Sequence, residues 1–201
     1  MKKCRIAVLV SGGGTNLSAI LEAERAGKIP HGEVVLVLSS REGAYALKRA
    51  EAFGVPSAVV SRRLAASREE FEDGLLARLS EARADIVVLA GFLSILSPRF
   101  IAAYPERILN VHPSLIPSFC GEGFYGLRVH EAALAAGVKV TGATVHLVNE
   151  IPDGGRILLQ KAVEVKEGDT PELLQRRVME EAEWKLLPAA CELMAEAMTE
   201  E

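Results

Sequence analysis

Residues 6–16 read Ile6-Ala7-Val8-Leu9-Val10-Ser11-Gly12-Gly13-Gly14-Thr15-Asn16, and this segment predicts the class of the fold. Its first five residues are continuously apolar and rich in β-branched side chains, which is typical of a strand buried on both faces. Three glycines follow at once, and residues 15–26 have the pattern of a helix that ends at Gly27. A buried strand, a glycine turn and a helix form the first unit of a parallel, doubly wound α/β sheet.

The same alternation continues along the first half of the chain. A second buried strand is predicted at residues 34–38, a short third strand at 57–60 and a fourth at 86–90, with helices over residues 43–53 and from Ser67 onward. Ser67 and Glu70 have the spacing of a capping box, in which side chains bond the free backbone N–H groups of a helix N-terminus. Phe71, Leu75 and Leu79 then fall on one face of that helix. We therefore expect a mostly parallel, Rossmann-like N-terminal half.

The pattern changes after Gly91. A short helix beginning at Pro98 leads to a strand through Ile108 and Val111, and residues 113–126 then form a loop rich in proline and glycine. The chain therefore leaves the strict strand–helix alternation near residue 100.

The last part of the chain has the pattern of paired strands. Residues 138–148 and 156–165 read as two strands that pair with each other, and Thr170 caps a final helix with Pro171 in its first position. We expect a C-terminal half with antiparallel strands and a final helix. Because the halves, residues 1–100 and 101–201, share one sheet, they are predicted to form a single domain.

Composition excludes several classes of protein. The 201 residues are 49% hydrophobic, which suffices for a buried core, and 23 Lys plus Arg against 27 Asp plus Glu give a net charge of −4. A domain that binds nucleic acid through phosphates normally carries a basic surplus. No run approaches the roughly 18–20 apolar residues of a membrane span. We expect small-molecule substrates, with neither nucleic acid nor a membrane as a partner.

Cysteines and histidines indicate neither a disulfide framework nor a metal site. Cys4, Cys120 and Cys191 are unevenly spread, and neither a Cys-x-x-Cys pair nor zinc-ligand spacing occurs. Small buried thiols in a reducing, cytoplasmic compartment are expected. His31 and His130 are interpreted as surface residues.

The glycine turn is a candidate phosphate site. Its backbone N–H groups and the positive end of the following helix would face a ligand, and Thr15 and Asn16 add side-chain donors. A dinucleotide fits less well, because Leu17 stands where a third fingerprint glycine is needed and Ser39-Ser40-Arg41 lacks an acid for the ribose. A phosphomonoester is favoured over NAD or ATP, and an ordinary strand–helix turn is the structural alternative.

A second candidate site follows the strand at Ile108. Asn110 and His112 project to the same side of that strand, at the carboxyl end where ligands bind in open α/β sheets. An amide donor beside an imidazole suits a developing oxyanion, and Asp153, in a turn before two glycines, is the best carboxylate partner for the imidazole. Thr144 and His146 share one strand face and are expected to support the site. Alternatively, Asn110 caps backbone groups and Asp153 only forms its turn.

Several motifs taken together resemble the folate-dependent formyltransferases, and among them the phosphoribosylglycinamide formyltransferase family. The resemblance runs in order from about residue 4 to residue 190. The motifs are Ser11-Gly12-Gly13-Gly14-Thr15-Asn16-Leu17, Leu89-Ala90-Gly91-Phe92, Ile95-Leu96-Ser97-Pro98, Asn110-Val111-His112-Pro113-Ser114-Leu115-Ile116-Pro117, Gly142-Ala143-Thr144-Val145-His146 and Asp153-Gly154-Gly155. The Asn-x-His-Pro-Ser block with a downstream Asp is diagnostic of the superfamily, and the glycine turn narrows it to the glycinamide ribonucleotide branch.

This resemblance implies an activity and a set of site residues. The activity is transfer of a formyl group from 10-formyltetrahydrofolate, a co-substrate, to the amine of glycinamide ribonucleotide, without a metal and by a monomer or homodimer. The implied catalytic residues are Asn110, His112 and Asp153. The implied ribonucleotide-binding residues are Gly13, Gly14, Thr15, Asn16 and Glu183. The implied folate-binding residues are Arg68, Phe92, Leu93, Ser94, Ile95, Asn110, Val111 and Val148.

Three features depart from the family pattern. Ser94 stands where many relatives carry Arg, Trp184 stands where His is common, and the segment 118–130 is longer than in shorter members.

Alternative functions share part of this pattern. A formyltetrahydrofolate hydrolase would typically add an N-terminal regulatory domain, and a methionyl-tRNA formyltransferase would add a C-terminal domain for tRNA. A sugar-amine formyltransferase would not need the phosphate turn. A non-catalytic nucleotide-binding module would not need Asn110, His112 and Asp153 together.

Overall fold

The computed structural model describes residues 2–200 and contains one seven-stranded sheet in the order β3-β2-β1-β4-β5-β6-β7. The strands are β1 (Cys4–Val10), β2 (Gly32–Ser39), β3 (Ser57–Val59), β4 (Ile86–Leu89), β5 (Ile108–His112), β6 (Val140–Leu147) and β7 (Ile157–Glu164). The helices are α1 (Thr15–Arg25), α2 (Tyr45–Ala52), α3 (Arg68–Glu81), α4 (Pro98–Ala103), α5 (Leu127–Ala135), α6 (Pro171–Val178) and α7 (Trp184–Glu200), with a π-helical segment, Met179–Glu183, between α6 and α7. Among these helices none is long and apolar enough to cross a membrane.

Strand directions confirm the predicted fold class. Strands β1 to β5 pair in parallel, whereas β6 is antiparallel to β5 and β7 is antiparallel to β6. The apolar run of β1 is divided between two cores, because successive side chains point to opposite faces of the sheet. Ile6 and Val8 pack with α1 and α7 on one face, and Ala7 and Leu9 pack with α3 and α4 on the other.

Predicted helix starts agree with the observed caps. The Ser67 hydroxyl accepts a hydrogen bond from the Glu70 N–H at 3.1 Å, and the Glu70 carboxylate accepts one from the Ala66 N–H. The hydroxyls of Ser97 and Thr170 cap α4 and α6 in the same way. Side-chain acceptors at these positions satisfy N–H groups that have no partner inside the helix.

Two helical features were not predicted. Helix α5 follows the loop at Gly126, which offers no side-chain cap, so no start signal marks it in the sequence. The predicted single final helix is instead divided by the π-helical segment 179–183, whose wider hydrogen-bonding pattern is frequent at functional sites.

The interpretation of His130 as a surface residue is wrong. His130 lies on α5 with no exposed surface, and neither ring nitrogen has a hydrogen-bond partner among residues 2–200. Its place on the buried side of an unpredicted helix is the reason for the error. Burial, together with the nearby His112 ring, lowers the pKa of His130 from 6.5 to about 4.

Acid should therefore destabilise the fold through His130. Because the folded-state pKa is below the unfolded value, the unfolded chain binds more protons between pH 6.5 and pH 4. Above pH 6.5 the buried neutral ring does not reduce the free energy of unfolding. As pH falls from 6.5 toward 4, protonation of the unfolded chain lowers that free energy by up to about 3 kcal/mol. Urea unfolding of His130→Leu at pH 7.5 and pH 4.5 measures it. The variant should gain stability relative to the parent chain at the lower pH, and a pH-independent difference between the two chains would contradict the assignment.

Candidate active site

The candidate site lies where the parallel strands end. Ser11, directly after β1, joins three loops at this edge of the sheet. Its hydroxyl lies 2.7 Å from the Ser40 hydroxyl after β2 and accepts a hydrogen bond from the Leu93 N–H after β4, while its own N–H donates to the Gly91 carbonyl. The glycine turn and the 91–97 loop are thus held side by side over the carboxyl ends of the strands.

Antiparallel pairing of β5 with β6 brings four polar side chains together. Asn110 lies opposite His146, and His112 lies opposite Thr144. The Asn110 Nδ2 atom is 3.1 Å from His146 Nε2. His146, expected only to support the site, therefore contacts Asn110 directly.

The turn after β6 supplies the carboxylate. Asp153 Oδ2 lies 3.5 Å from His112 Nδ1, and Asp153 Oδ1 lies 3.5 Å from His146 Nε2. Asp153 has a φ of +56°, a conformation unusual outside glycine. At Gly155 any Cβ would lie 1.7 Å from the Leu147 carbonyl oxygen, so only glycine fits there. The structure therefore brings Asn110, His112 and Asp153 together, as the sequence predicts.

Carbonyl partners fix the ring protons of both histidines. His112 Nε2 lies 2.8 Å from the Phe119 carbonyl oxygen, and His146 Nδ1 lies 2.9 Å from the Leu147 carbonyl oxygen. A carbonyl oxygen only accepts, so each of these nitrogens carries a proton. His146 Nε2 faces both the Asn110 amide and Asp153 Oδ1, so as an acceptor it takes a hydrogen bond from Asn110 and as a donor it gives one to Asp153. The second N–H of the Asn110 amide has no other partner among the described residues.

The environment of Asp153 favours its charged form. Burial alone would raise the pKa of Asp153, but the hydrogen bond to His146, the Gly121 N–H at 2.9 Å and the charge of the His112 ring together outweigh burial and lower the pKa below its usual value. The site therefore holds a carboxylate between two imidazoles.

Thr144 anchors the 113–126 loop, which covers one side of the site. The Thr144 hydroxyl donates to the Ser114 carbonyl at 2.7 Å and accepts from the Ile116 N–H and the Gln160 amide. Gln160 also donates to the Ile116 carbonyl. The loop contributes backbone groups to the site, the Phe119 carbonyl and the Gly121 N–H, and no side-chain pattern in the sequence could have indicated them.

Contacts with α2 orient the backbone of the glycine turn. The Gly12 carbonyl accepts from the Ala46 N–H and the Gly13 carbonyl accepts from Arg49 Nε, so both carbonyls point toward α2. In a trans peptide the N–H points opposite to the carbonyl, so the N–H groups of Gly13 and Gly14 face away from α2. The start of α1 has no side-chain cap and no acidic residue in its first turn. Its positive end is therefore left for a ligand.

The three glycines of the turn have different roles. At Gly14, with a φ of +74°, a Cβ would lie 2.6 Å from the Ala46 Cβ, so glycine is required by packing. At Gly12 and Gly13 a Cβ would meet nothing within 4 Å, and their φ values are outside the left-handed region. Nothing inside the folded chain requires glycine at these two positions, whereas a ligand that approaches the backbone closely would.

Asn16 and Glu183 form a buried pair between α1 and the π-helical segment. The Asn16 amide donates to Glu183 Oε2 at 2.7 Å, and Asn16 Oδ1 is buried without a partner among the described residues. Burial raises the pKa of Glu183, an effect that the Asn16 bond opposes. The Thr15 hydroxyl faces Met179 Sδ, at 4.0 Å. An unpaired buried acceptor beside the glycine turn suits a ligand that donates hydrogen bonds.

The predicted folate residues line the same edge of the sheet, but they differ in how freely their side chains could contact a ligand. Phe92 stacks on Phe71 with ring centroids 6.3 Å apart, while Leu93 and Ile95 are more than half exposed. Arg68 donates to the buried Glu72 carboxylate and to the Ile95 carbonyl, so its side chain holds the 91–97 loop in place. The remaining expected positions lie beside the site: Ser94 borders a cavity, Val148 packs with Phe92 on one core, and Val111 packs on the other.

Comparison with known proteins identifies the family of the chain. Residues 4–191 match the formyl transferase family. The trifunctional purine biosynthetic protein adenosine-3 of Gallus gallus is 44% identical over 193 residues. This alignment covers 96% of the chain described here but only 18% of that relative's length. The phosphoribosylglycinamide formyltransferase of Haemophilus influenzae is 39% identical over 188 residues, covering 94% of this chain and 84% of that protein.

Solved structures give the same result. The glycinamide ribonucleotide transformylase 1 of Symbiobacterium toebii superposes with a TM-score of 0.90 at 45% identity, over 97% of this chain and 89% of that one. The phosphoribosylglycinamide formyltransferase of Brucella melitensis superposes with a TM-score of 0.88 at 45% identity, over 96% of each chain. The chain described here therefore belongs to the formyl transferase family.

Proposed function

We propose that the chain transfers a formyl group from 10-formyltetrahydrofolate to the amine of glycinamide ribonucleotide in purine biosynthesis. The observation that carries this proposal is the convergence of Asn110, His112 and Asp153, three polar groups distant in sequence, at the carboxyl edge of the sheet. The names of the relatives support the choice of substrates. Residues 1–201 would act as one domain, as a monomer or homodimer.

The glycine turn would hold the phosphate of the ribonucleotide. The outward N–H groups of Gly13 and Gly14 and the uncapped start of α1 supply donors, with Thr15 beside them. The buried Asn16–Glu183 pair would bind the ribose hydroxyls, because its unpaired Asn16 oxygen needs a donor. In this proposed pose the amine of the substrate would face β5.

The reaction proceeds by direct attack of that amine on the formyl carbon. A tetrahedral intermediate forms, with a negative oxygen and a protonated attacking nitrogen. The free N–H of Asn110 and the Nε2–H of His112 donate to this oxygen, and the Asp153 carboxylate, 3.5 Å from His112 Nδ1, supplies negative charge beside the ring. The C–N bond to the folate then breaks, and the proton lost by the attacking nitrogen is delivered to the leaving folate nitrogen, with Asp153 assisting through a water.

His112 Nε2–H must change its partner during this reaction. In the present structure it donates to the Phe119 carbonyl, which stands where the formyl oxygen would have to lie. The 113–126 loop must therefore release the imidazole before the oxyanion can form. Phe119, with a φ of +49°, lies in the loop at that position.

The folate would lie across the 91–97 loop, bordered by Phe92, Leu93, Ser94 and Ile95, with Val111 and Val148 beside the reacting centre. Arg68 contributes by fixing this loop. No metal is required by the proposed chemistry. The free thiols of the three cysteines are compatible with a cytoplasmic location.

The decisive assay measures release of tetrahydrofolate from 10-formyltetrahydrofolate with and without glycinamide ribonucleotide. Release that depends on the ribonucleotide, with the formylated product appearing in equal amount, is the expected result. Consumption of the donor in its absence would instead identify a hydrolase, and formylation of a sugar amine but not of the ribonucleotide would identify a different acceptor.

Removing either oxyanion donor should abolish most turnover. Asn110→Ala and His112→Ala are each expected to reduce the rate constant of formyl transfer, measured under single-turnover conditions, by about 10²–10³. Asp153→Asn, which keeps the shape but removes the charge, should also reduce kcat. Urea unfolding checks that each variant is folded, and near-parental turnover in folded Asn110→Ala and His112→Ala would exclude the proposed oxyanion site.

Two neighbouring glycines provide a matched test of the phosphate site. Gly13→Ala adds a methyl group into open space, so its free energy of unfolding should stay within about 1 kcal/mol of the parent chain. The KM for the ribonucleotide should nevertheless rise at least about tenfold, because the methyl group blocks close approach of the phosphate. Gly14→Ala should instead lose stability through its contact with Ala46 and its positive φ. An unchanged KM for the ribonucleotide in Gly13→Ala would show that the phosphate binds elsewhere.

A further inference from the structure

A cavity of about 650 Å³ lies between α1 and the first residues of α7, and the proposed mechanism does not use it. Small side chains of both helices form part of its wall, and three cations, Lys28, Arg49 and Lys185, share it with one carboxylate, Glu22. Within residues 2–200, none of these three cations forms an ion pair. The cavity therefore carries an excess of positive charge that no ion pair of the described chain neutralises.

One end of the cavity adjoins the glycine turn. Thr15, the first residue of α1, lines it there. The buried amide–carboxylate pair joins the start of α1 to the residue directly before α7, so Trp184 and Lys185, the first two residues of α7, lie at the same end as Thr15. Lys28 lies beyond the other end of α1, about 16 Å from its start.

Trp184 carries an unpaired hydrogen-bond donor at this end of the cavity. Its indole Nε1 is buried and has no partner among the described residues. An indole N–H can only donate, and buried polar groups of native proteins nearly always have a partner. The partner that Trp184 needs is therefore an acceptor, as a phosphate oxygen is.

The donors proposed for the phosphate at the turn are all uncharged. They are the backbone N–H groups of Gly13 and Gly14 and the Thr15 hydroxyl, whereas a phosphate monoester carries a charge of about −1.5 to −2 at pH 7. Arg49 is held beside the turn, because its Nε donates to the Gly13 carbonyl at 2.8 Å and its Nη1 donates to a serine hydroxyl of α1 at 2.8 Å. The exposed Lys185 ammonium is the second cation at this end. Counter-charge for the phosphate is therefore available from the side of the cavity.

We infer that the cavity end formed by Thr15, Trp184 and Lys185 is the outer wall of the phosphate site, where the Trp184 indole N–H donates to a phosphate oxygen and the Lys185 ammonium offsets its charge. The inference rests on the proposed function, since it takes the ribonucleotide phosphate as the ligand. Hydrogen bonds to a charged acceptor are stronger than those to a neutral one. Trp184 and Lys185 thereby add selectivity for the phosphorylated substrate over the corresponding nucleoside.

Trp184→Phe tests the hydrogen bond, because it keeps an aromatic ring and removes the N–H. The KM for the ribonucleotide should rise roughly tenfold to hundredfold, the range for a hydrogen bond to a charged group, while kcat stays unchanged. Affinity for ribose 5-phosphate, measured by calorimetry, should fall by the same factor, and affinity for ribose should not change. Since Nε1 has no partner in the unliganded chain, the urea midpoint of the variant should stay close to that of the parent.

Two exposed lysines of the same cavity provide a matched pair of charge variants. Lys185→Ala should weaken binding of ribose 5-phosphate about two- to fivefold, as expected for an exposed ion pair. Lys28→Ala should leave this affinity unchanged, because its distance of about 16 Å from the start of α1 exceeds the screening length of about 8 Å at 0.15 M salt.

Fluorescence supplies a readout that does not depend on turnover. Trp184 is the only tryptophan of the sequence, so the emission of the parent chain reports on this end of the cavity. Ribose 5-phosphate and inorganic phosphate should each change the emission in a saturable manner, whereas ribose at the same concentration should not.

Parental affinity for ribose 5-phosphate in both Trp184→Phe and Lys185→Ala, or an emission that phosphate does not change, overturns the inference. Formyl transfer to the ribonucleotide by the parent chain would in that case leave the proposed function intact. If the parent chain does not formylate the ribonucleotide at all, the proposed function fails and the inference fails with it.

Discussion

The antiparallel pairing of β6 with β5 is the constraint on which the candidate site depends. It places Asn110 opposite His146 and His112 opposite Thr144, and it directs the chain into the turn that carries Asp153. Strand β6 ends opposite Leu109, near the start of β5, and the turn that follows folds back so that Asp153 lies 3.5 Å from both imidazoles. The antiparallel register and the returning turn therefore together bring a carboxylate to two imidazoles and an amide.

Buried and partly buried acids attach the surrounding segments to this framework. Asp153 accepts from the Gly121 N–H of the 113–126 loop, and Glu183 accepts from the Asn16 amide at the start of α1. Glu72, almost fully buried, accepts from Arg68 and from both the N–H and the hydroxyl of Ser97. Each carboxylate receives hydrogen bonds from a different connecting segment, which offsets the cost of its burial. The backbone around the site is held largely by side-chain acceptors.

The fold could be predicted from the sequence because its signals are local. The apolar run of β1 and the cap at Ser67 each identify one element without any knowledge of the others, and the alternation of side chains along β5 puts Asn110 and His112 on one side. The buried position of His130 depends on α5, which has no start signal, and the partners of each arginine depend on loops that meet only in three dimensions. The Phe119 carbonyl and the Gly121 N–H are backbone groups, so residue types carry no information about them.

The contact between Phe119 and His112 has a thermodynamic consequence. Under the proposed mechanism, a molecule whose loop carbonyl holds the imidazole N–H belongs to a population that cannot engage the reactant. The observed dissociation constant is the intrinsic constant divided by the fraction of molecules in which the loop has moved away. Loop sequence can thus tune how strongly the enzyme holds its reactants without altering any residue that touches them.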